Sequence, residues 1–247
     1  MKYVFNVLKV VLAFVLIILF GSVAAILRLL SFGALTNFNR VYFIPFFCRL
    51  SLFCMGIKLD NRVRLQLPNR PHFITFNHNS YLDGFVLMSL GLPNTRILMS
   101  EKILVFLPVW LISFSIGLLY IPMKKNRTRR LRFFLKLEKR IKEENIHIMG
   151  SSEGVHVYGQ RIAEFNRGVY HMALVSNMPV VALFIYTPIE SNPYSNFRPF
   201  KRGTLVAEVL DIIPTDQWTM HHLDVHIADV RKKYVDRFNE YYQDQTT

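Results

Sequence analysis

Eighteen consecutive residues without a charge, VVLAFVLIILFGSVAAIL from Val10 to Leu27, constrain this chain more than any other feature in it. As a helix they reach about 27 Å, close to the hydrocarbon thickness of a bilayer. Lys2 and Lys9 precede the run and Arg28 closes it. A cleaved signal peptide shares the basic start, the apolar middle and small residues such as Ser22, Ala24 and Ala25. The chain stays apolar beyond the run, which favours a retained helix. Composition agrees: 51% of the 247 residues are hydrophobic and the formal net charge is +13. A basic, apolar chain suits an anionic lipid surface. Cys48 and Cys54 alone define no disulfide framework and no metal site, and read as reduced, cytosol-facing thiols.

Two further apolar runs follow. Val41 to Ile57 contains Pro45 and Arg49 and makes a poor span. It reads as an interfacial helix or a hairpin dipping into one leaflet. Ile103 to Pro122 carries no charge over twenty residues, yet Pro108 and Gly117 interrupt it. A helix broken at Pro108, then a short strand, buries this run in a globular core rather than in lipid.

Downstream, strand and helix patterns alternate. Strands are expected over Phe73–Asn77, Leu118–Ile121, Ile146–Met149, Pro179–Tyr186 and Thr204–Ile213. Helices are expected over Leu82–Leu90, Arg129–Glu144, Phe165–Ser176 and about Asp224–Tyr242. In the second of these helices, Arg129–Glu144, Leu131, Phe134, Leu135 and Ile141 form the apolar face. SNPYSNFRPFKRG, from Ser191, reads as a loop. The fold class is therefore α/β, with a largely parallel central sheet flanked by helices and a hydrophobic helical membrane motif in front of it. We expect the motif over 1–60 and the α/β domain over 61–247.

NHNSYLDG, Asn77 to Gly84, is a polar knot between a strand pattern and a helix pattern. A strand ending at Asn77 and a helix starting near Ser80 would let Asp83 fold back onto His78. That is a general base with an orienting carboxylate, placed where α/β folds hold ligands. Ser80 and Asp83 also have the spacing of a capping box, which explains both without catalysis. The knot alone leaves the choice open.

The stretch resembles the N-H-x-S-x-x-D block of the glycerolipid acyltransferase family, which includes the lysophosphatidic acid acyltransferases. Further blocks follow in the same order. SEKILVFLPVWLISFSIGLLYIP matches the family at Lys102, Pro108, Gly117 and Tyr120. SSEGVH, from Ser151 to His156, resembles the F-P-E-G-T-R block. FNRGVYHMAL and NMPVVALFI resemble the later helix and strand, with Pro179 in place. The resemblance covers about Asn77 to Ile185. It implies that His78 deprotonates an acceptor hydroxyl, which attacks the thioester of acyl-CoA or acyl carrier protein, while Asp83 orients His78. Glu153 and Gly154 inherit acceptor binding. Asn77, Ser80, Gly117, Tyr120 and Pro179 take donor-binding or loop-shaping places. No metal and no cofactor are expected beyond the thioester co-substrate, and the implied acceptor is a lysolipid, 1-acyl-glycerol-3-phosphate first.

The family's two arginine positions hold Met123 and His156 here. Lysine or histidine does not copy the planar fork with which arginine grips phosphate. Lys124, Lys125 and Arg127 are the substitutes for a phosphate-bearing acceptor, with His156 also in the acceptor set; an acceptor without phosphate, such as a lyso-amino-acid lipid, is the alternative. A non-catalytic lipid-binding protein at the membrane surface is the reading from another class. Lys124 to Lys142 holds ten basic residues and one acid. Lipid headgroups or CoA phosphates rank first as its partners and a solvated face second; no nucleic-acid motif accompanies it and no nucleic-acid partner is expected. His221, His222 and His226 lack the glutamate of a zinc motif and read as surface or cap residues. The expected location is the membrane, with the catalytic domain on its cytoplasmic face.

Overall fold

The computed structural model describes residues 2–63, 67–154, 156, 161–192 and 201–243. Val155, and residues 193–200 of the expected loop, lie outside them. The apolar run forms α1, Lys2–Leu30, within which Val7–Leu30 is long and apolar enough to cross a membrane. A short helix α2, Thr36–Phe38, and a π-helical turn, Asn39–Phe43, lead into α3, Ile44–Cys54. Pro45 sits in the first turn of α3, where a missing N–H is harmless. This segment is a docked helix: the Arg49 guanidinium bonds the Ser89 carbonyl at 2.5 and 3.0 Å, although Phe46 and Phe53 stay exposed.

Seven strands form one sheet in the order β1-β7-β6-β2-β5-β3-β4. They are β1 Ile57–Asn61, β2 Phe73–Phe76, β3 Thr95–Ser100, β4 Leu119–Ile121, β5 His147–Ser151, β6 Val180–Tyr186 and β7 Gly203–Ile213. Every neighbouring pair is parallel except β6 with β7, so the largely parallel α/β sheet is what the alternation predicts. β2 lies at the centre, and all four of its residues are buried, as are all seven of β6. Such continuous apolar runs mark strands covered on both faces. Ile74, Phe76, Val181 and Leu183 pack towards α3 and α4 (Asp83–Ser89) on one face. Phe73, Val180, Ala182 and Phe184 pack towards α6 (Arg127–Glu144), α7 (Arg167–Val175) and α8 (Leu223–Gln243) on the other.

Pattern reading missed β1 and β3. Both carry charges, Lys58, Asp60 and Arg96, in the strand itself, because β1 is an edge strand and β3 lies one strand from the opposite edge. The expected break at Pro108 is a correction. Glu101–Val105 forms a 3-10 turn, and Pro108 instead opens α5, Leu107–Ile116, from its first turn. Gly117, at φ +71°, closes α5 in the left-handed region that favours glycine. Nor is the run a core helix: Val105, Phe106, Leu107 and Trp110 are exposed, and α5 packs along α1.

The two helices run in the same direction. Phe14 meets Phe106 edge to face at 6.1 Å, Gly21 lies against Leu111 and Ile112, and the Arg28 guanidinium bonds the Phe114 carbonyl. Asn39 and Arg40 bond the next carbonyls of the α5 terminus, Ser115 and Ile116. Because α5 starts after β3 and leads to β4, its first turn lies at the carboxyl edge of the sheet. Residues 2–13 of α1 therefore continue about 18 Å past that turn on the same side.

A second correction concerns α6. Leu131 and Leu135, expected in its buried face, are 61% and 57% exposed. The helix seats itself instead through Leu137 and Ile141, with Phe133 and Phe134 partly covered.

Candidate active site

The site is built at the carboxyl end of β2. Asn77 follows the strand directly and is buried; its Nδ2 donates to the Ile185 carbonyl and its Oδ1 accepts from the Ile185 N–H, both at 2.8 Å. This amide continues the β2–β6 ladder by one side chain and fixes the backbone just before His78.

His78 is half-buried, and its Nδ1 lies 3.0 Å from Asp83 Oδ2. The same oxygen accepts the Ser80 N–H at 2.9 Å, while Ser80 Oγ accepts the Leu82 N–H at 3.0 Å. These bonds hold residues 79–82 as a turn, so α4 begins at Asp83 rather than near Ser80. The capping chemistry and the pairing thus use one carboxylate. Asp83 is wholly buried, and its Oδ1 has no hydrogen-bond partner among the described residues. With Nδ1 turned to Asp83, Nε2 of the half-buried His78 has no hydrogen-bond partner among the described residues.

Glu153 comes from just beyond β5, the parallel neighbour of β2. Its Oε2 accepts the His78 backbone N–H at 2.7 Å and its Oε1 the Ala163 N–H at 3.0 Å. Burial pushes its carboxyl above the usual carboxylate range, against the pull of those two N–H groups. Gly154 follows at φ +70°, and a Cβ there would stand 2.9 Å from Asn166 Nδ2. The Glu-Gly pair therefore supplies a reaching carboxylate and a turn too tight for a side chain.

His156 stacks on Tyr81 with centroids 4.6 Å apart and meets the His78 ring at right angles, 5.0 Å away. Burial, and the neighbouring His78, hold it below the ordinary histidine range, so it presents a neutral ring near pH 7. Lys124 and Arg127 are exposed, one in the turn after β4 and the other opening α6. β4 lies three strands from β2, so they share the carboxyl edge with His78 at a lateral distance of about 14 Å.

Other expected residues do not gather here. Gly117 and Pro179 precede β4 and β6, at the opposite edge of the sheet. Tyr120 lies in β4 and bonds Ser113 Oγ at 2.5 Å. His222 bonds Thr219, and His226 stacks on Trp218, far along the chain from the dyad. Sequence reasoning missed Tyr81, Ala163 and Asn192. The last takes the Ser80 hydroxyl at 3.0 Å and bonds the Asn79 carbonyl at 3.4 Å, and no local pattern 112 residues from Ser80 announces it.

A histidine held by a buried carboxylate at the end of a central parallel strand is an arrangement that can serve general-base chemistry in an α/β enzyme. The Acyltransferase family model matches residues 58–186, and the chain belongs to that family. It is similar to human 1-acyl-sn-glycerol-3-phosphate acyltransferase beta, 29% identical over 201 residues that cover 81% of this chain and 71% of the relative. The 1-acyl-sn-glycerol-3-phosphate acyltransferase of Haemophilus influenzae is 22% identical over 190 residues, 75% of this chain and 77% of that one. In fold, the chain is similar to the crystal structure of the 1-acyl-sn-glycerophosphate (LPA) acyltransferase PlsC from Thermotoga maritima. The TM-score is 0.66 at 14% identity, covering 97% of this chain and 98% of the other.

Proposed function

We propose that this acyltransferase is a membrane-associated enzyme that moves a fatty acyl chain from a thioester, acyl-CoA or acyl carrier protein, to the free hydroxyl of a lysolipid. The first candidate acceptor is 1-acyl-glycerol-3-phosphate, the substrate for which its relatives are named. The catalytic domain works on the cytoplasmic face. The observation that carries the reading is the His78–Asp83 pair, whose Nδ1 and Oδ2 lie 3.0 Å apart and leave Nε2 for the acceptor.

In the reaction, Asp83 keeps the proton on Nδ1 and so keeps Nε2 basic. Nε2 takes the proton of the acceptor hydroxyl as its oxygen forms a bond to the thioester carbonyl carbon. The carbon–sulfur bond then breaks, and the proton passes from Nε2 to the departing sulfur. Glu153 fixes the backbone from which His78 projects. Lys124, Lys125 and Arg127 form the cationic side towards which an acceptor phosphate extends.

A second acceptor class has one observation in its favour. His156 occupies an acceptor position as a neutral ring stacked on Tyr81, which offers a flat face and no fixed charge. That surface suits an acceptor whose polar part is uncharged there, such as a lyso-amino-acid lipid.

Full-length protein in detergent micelles, given acyl-CoA and a panel of lysolipids with product mass spectrometry, tests both. Diacyl product from the wild type and none from His78→Ala supports the mechanism; undiminished product from that variant sinks it. Strong preference for lysophosphatidic acid eliminates the second acceptor class.

A further inference from the structure

The first half of α6 is basic in a place where a helix is expected to be acidic. Lys124, Lys125, Arg127, Arg129, Arg130, Arg132 and Lys136 precede the first acid of the segment, Glu138. The amino end of a helix already carries positive potential, so cations there cost stability, and α6 has no acid in its first turn. The cations of the second half are paired: Lys139 with Glu143, Arg140 with Glu144 and Lys142 with Glu138. In the first half Arg129 pairs with Glu101, while Arg132 and Lys136 have no ion-pair partner among the described residues. On the same outward face stand Leu131 and Leu135, the two exposed leucines one turn apart.

From this we infer that the outward face of the first half of α6, Leu131, Arg132, Leu135 and Lys136, is a docking surface for an anionic bilayer beside the catalytic mouth. A merely solvated face explains the cations but not two exposed leucines interleaved with them. Coenzyme phosphates would satisfy the cations and leave the leucines in water. A bilayer surface takes both, headgroup phosphates on the cations and apolar side chains below them. Position agrees. Arg129–Glu101 ties the start of α6 to the 3-10 turn, which leads through exposed Val105 and Phe106 into Leu107 of α5, with Phe106 against Phe14 of α1 at the carboxyl edge. His78 opens at that edge too. The inference rests on membrane association as proposed above and adds a second, charge-dependent contact to α1.

The test is co-sedimentation of the full chain with phosphatidylcholine vesicles and with vesicles that also contain phosphatidylglycerol, at low and high salt. Each cation near an anionic surface is worth about fivefold in affinity, so Arg132→Ser with Lys136→Ser should weaken binding to the anionic vesicles by about thirtyfold. Binding to neutral vesicles should hardly change. Leu131→Ser with Leu135→Ser should weaken binding to both. Thermal melts of the four-residue set, all surface positions, confirm folding. Wild-type affinity of the Arg132/Lys136 variant for anionic vesicles overturns the inference. So does a raised donor KM in micelles with vesicle binding intact, which assigns the cations to the coenzyme. Failure of the wild type to bind any vesicle overturns the membrane reading itself.

Discussion

Asp83 has two duties at once, and they separate in mutants. One oxygen orients His78 and caps Ser80. Asp83→Asn keeps the shape and loses the charge that stabilises a protonated imidazole. We expect acyl transfer to fall by about a hundredfold or more, with a Tm near wild type, and His78→Ala to lose a similar or larger factor. Both are read by initial rates beside a thermal melt. Asn77 spends its buried amide on Ile185, and Asn77→Leu should be the more damaging change to the fold. It orphans both backbone groups of Ile185 in a dry strand end, a cost of about 2 to 4 kcal/mol measurable by urea unfolding.

At the level of elements, α1 is held to α5 by close approach. A Cβ at Gly21 would lie 3.2 Å from Leu111 Cβ and 3.3 Å from Ile112 Cγ1, so the larger Gly21→Val wedges the pair apart. We expect a loss of about 1 to 3 kcal/mol in the thermal unfolding of the detergent-solubilised chain. The interior elements were legible in the residues, and the peripheral ones much less so. Val180 to Tyr186 and Phe73 to Phe76 announce themselves because burial on both faces leaves only apolar residues in them. Thr95–Ser100 does not, since its arginine and threonine follow no alternation. α6 misleads for a related reason: Leu131 and Leu135 fit a helical apolar stripe as well as Leu137 and Ile141 do, and only packing tells which side meets the sheet. The dyad was legible because its two members lie five residues apart and a turn closes them. Tyr81 was too ordinary to single out, and Asn192 arrives by tertiary folding alone.

Over the whole molecule, the edge away from the catalytic site carries a different acid sensitivity. His72, just before β2, and His147, the first residue of β5, stack there 4.0 Å apart. Burial, with the neighbouring His72, lowers His147 to about 4, and burial lowers His72 as well. A histidine depressed in the fold is neutral there and protonates more readily when unfolded. Its contribution is therefore present above the ordinary value near 6.5 and is lost as pH falls from there towards 4. The Tm should drop between pH 7 and pH 5, and His147→Phe, which keeps the stacking, should flatten that drop. An equal drop in the variant refutes the assignment.

β2 leads to His78, the proposed general base, but its two neighbours arrive late: β5 begins at residue 147 and β6 at residue 180. His78 and Asp83 can meet as soon as the polar turn has been made. The groups that hold that turn in place, Glu153, Ile185 and Asn192, are synthesised 75 to 112 residues after their partners. A growing chain thus presents its apolar α1 long before the turn around His78 is held in place. On the membrane-associated reading proposed above, capture by the bilayer precedes activity in time, and a chain stopped before β6 lacks the groups that hold the turn of His78.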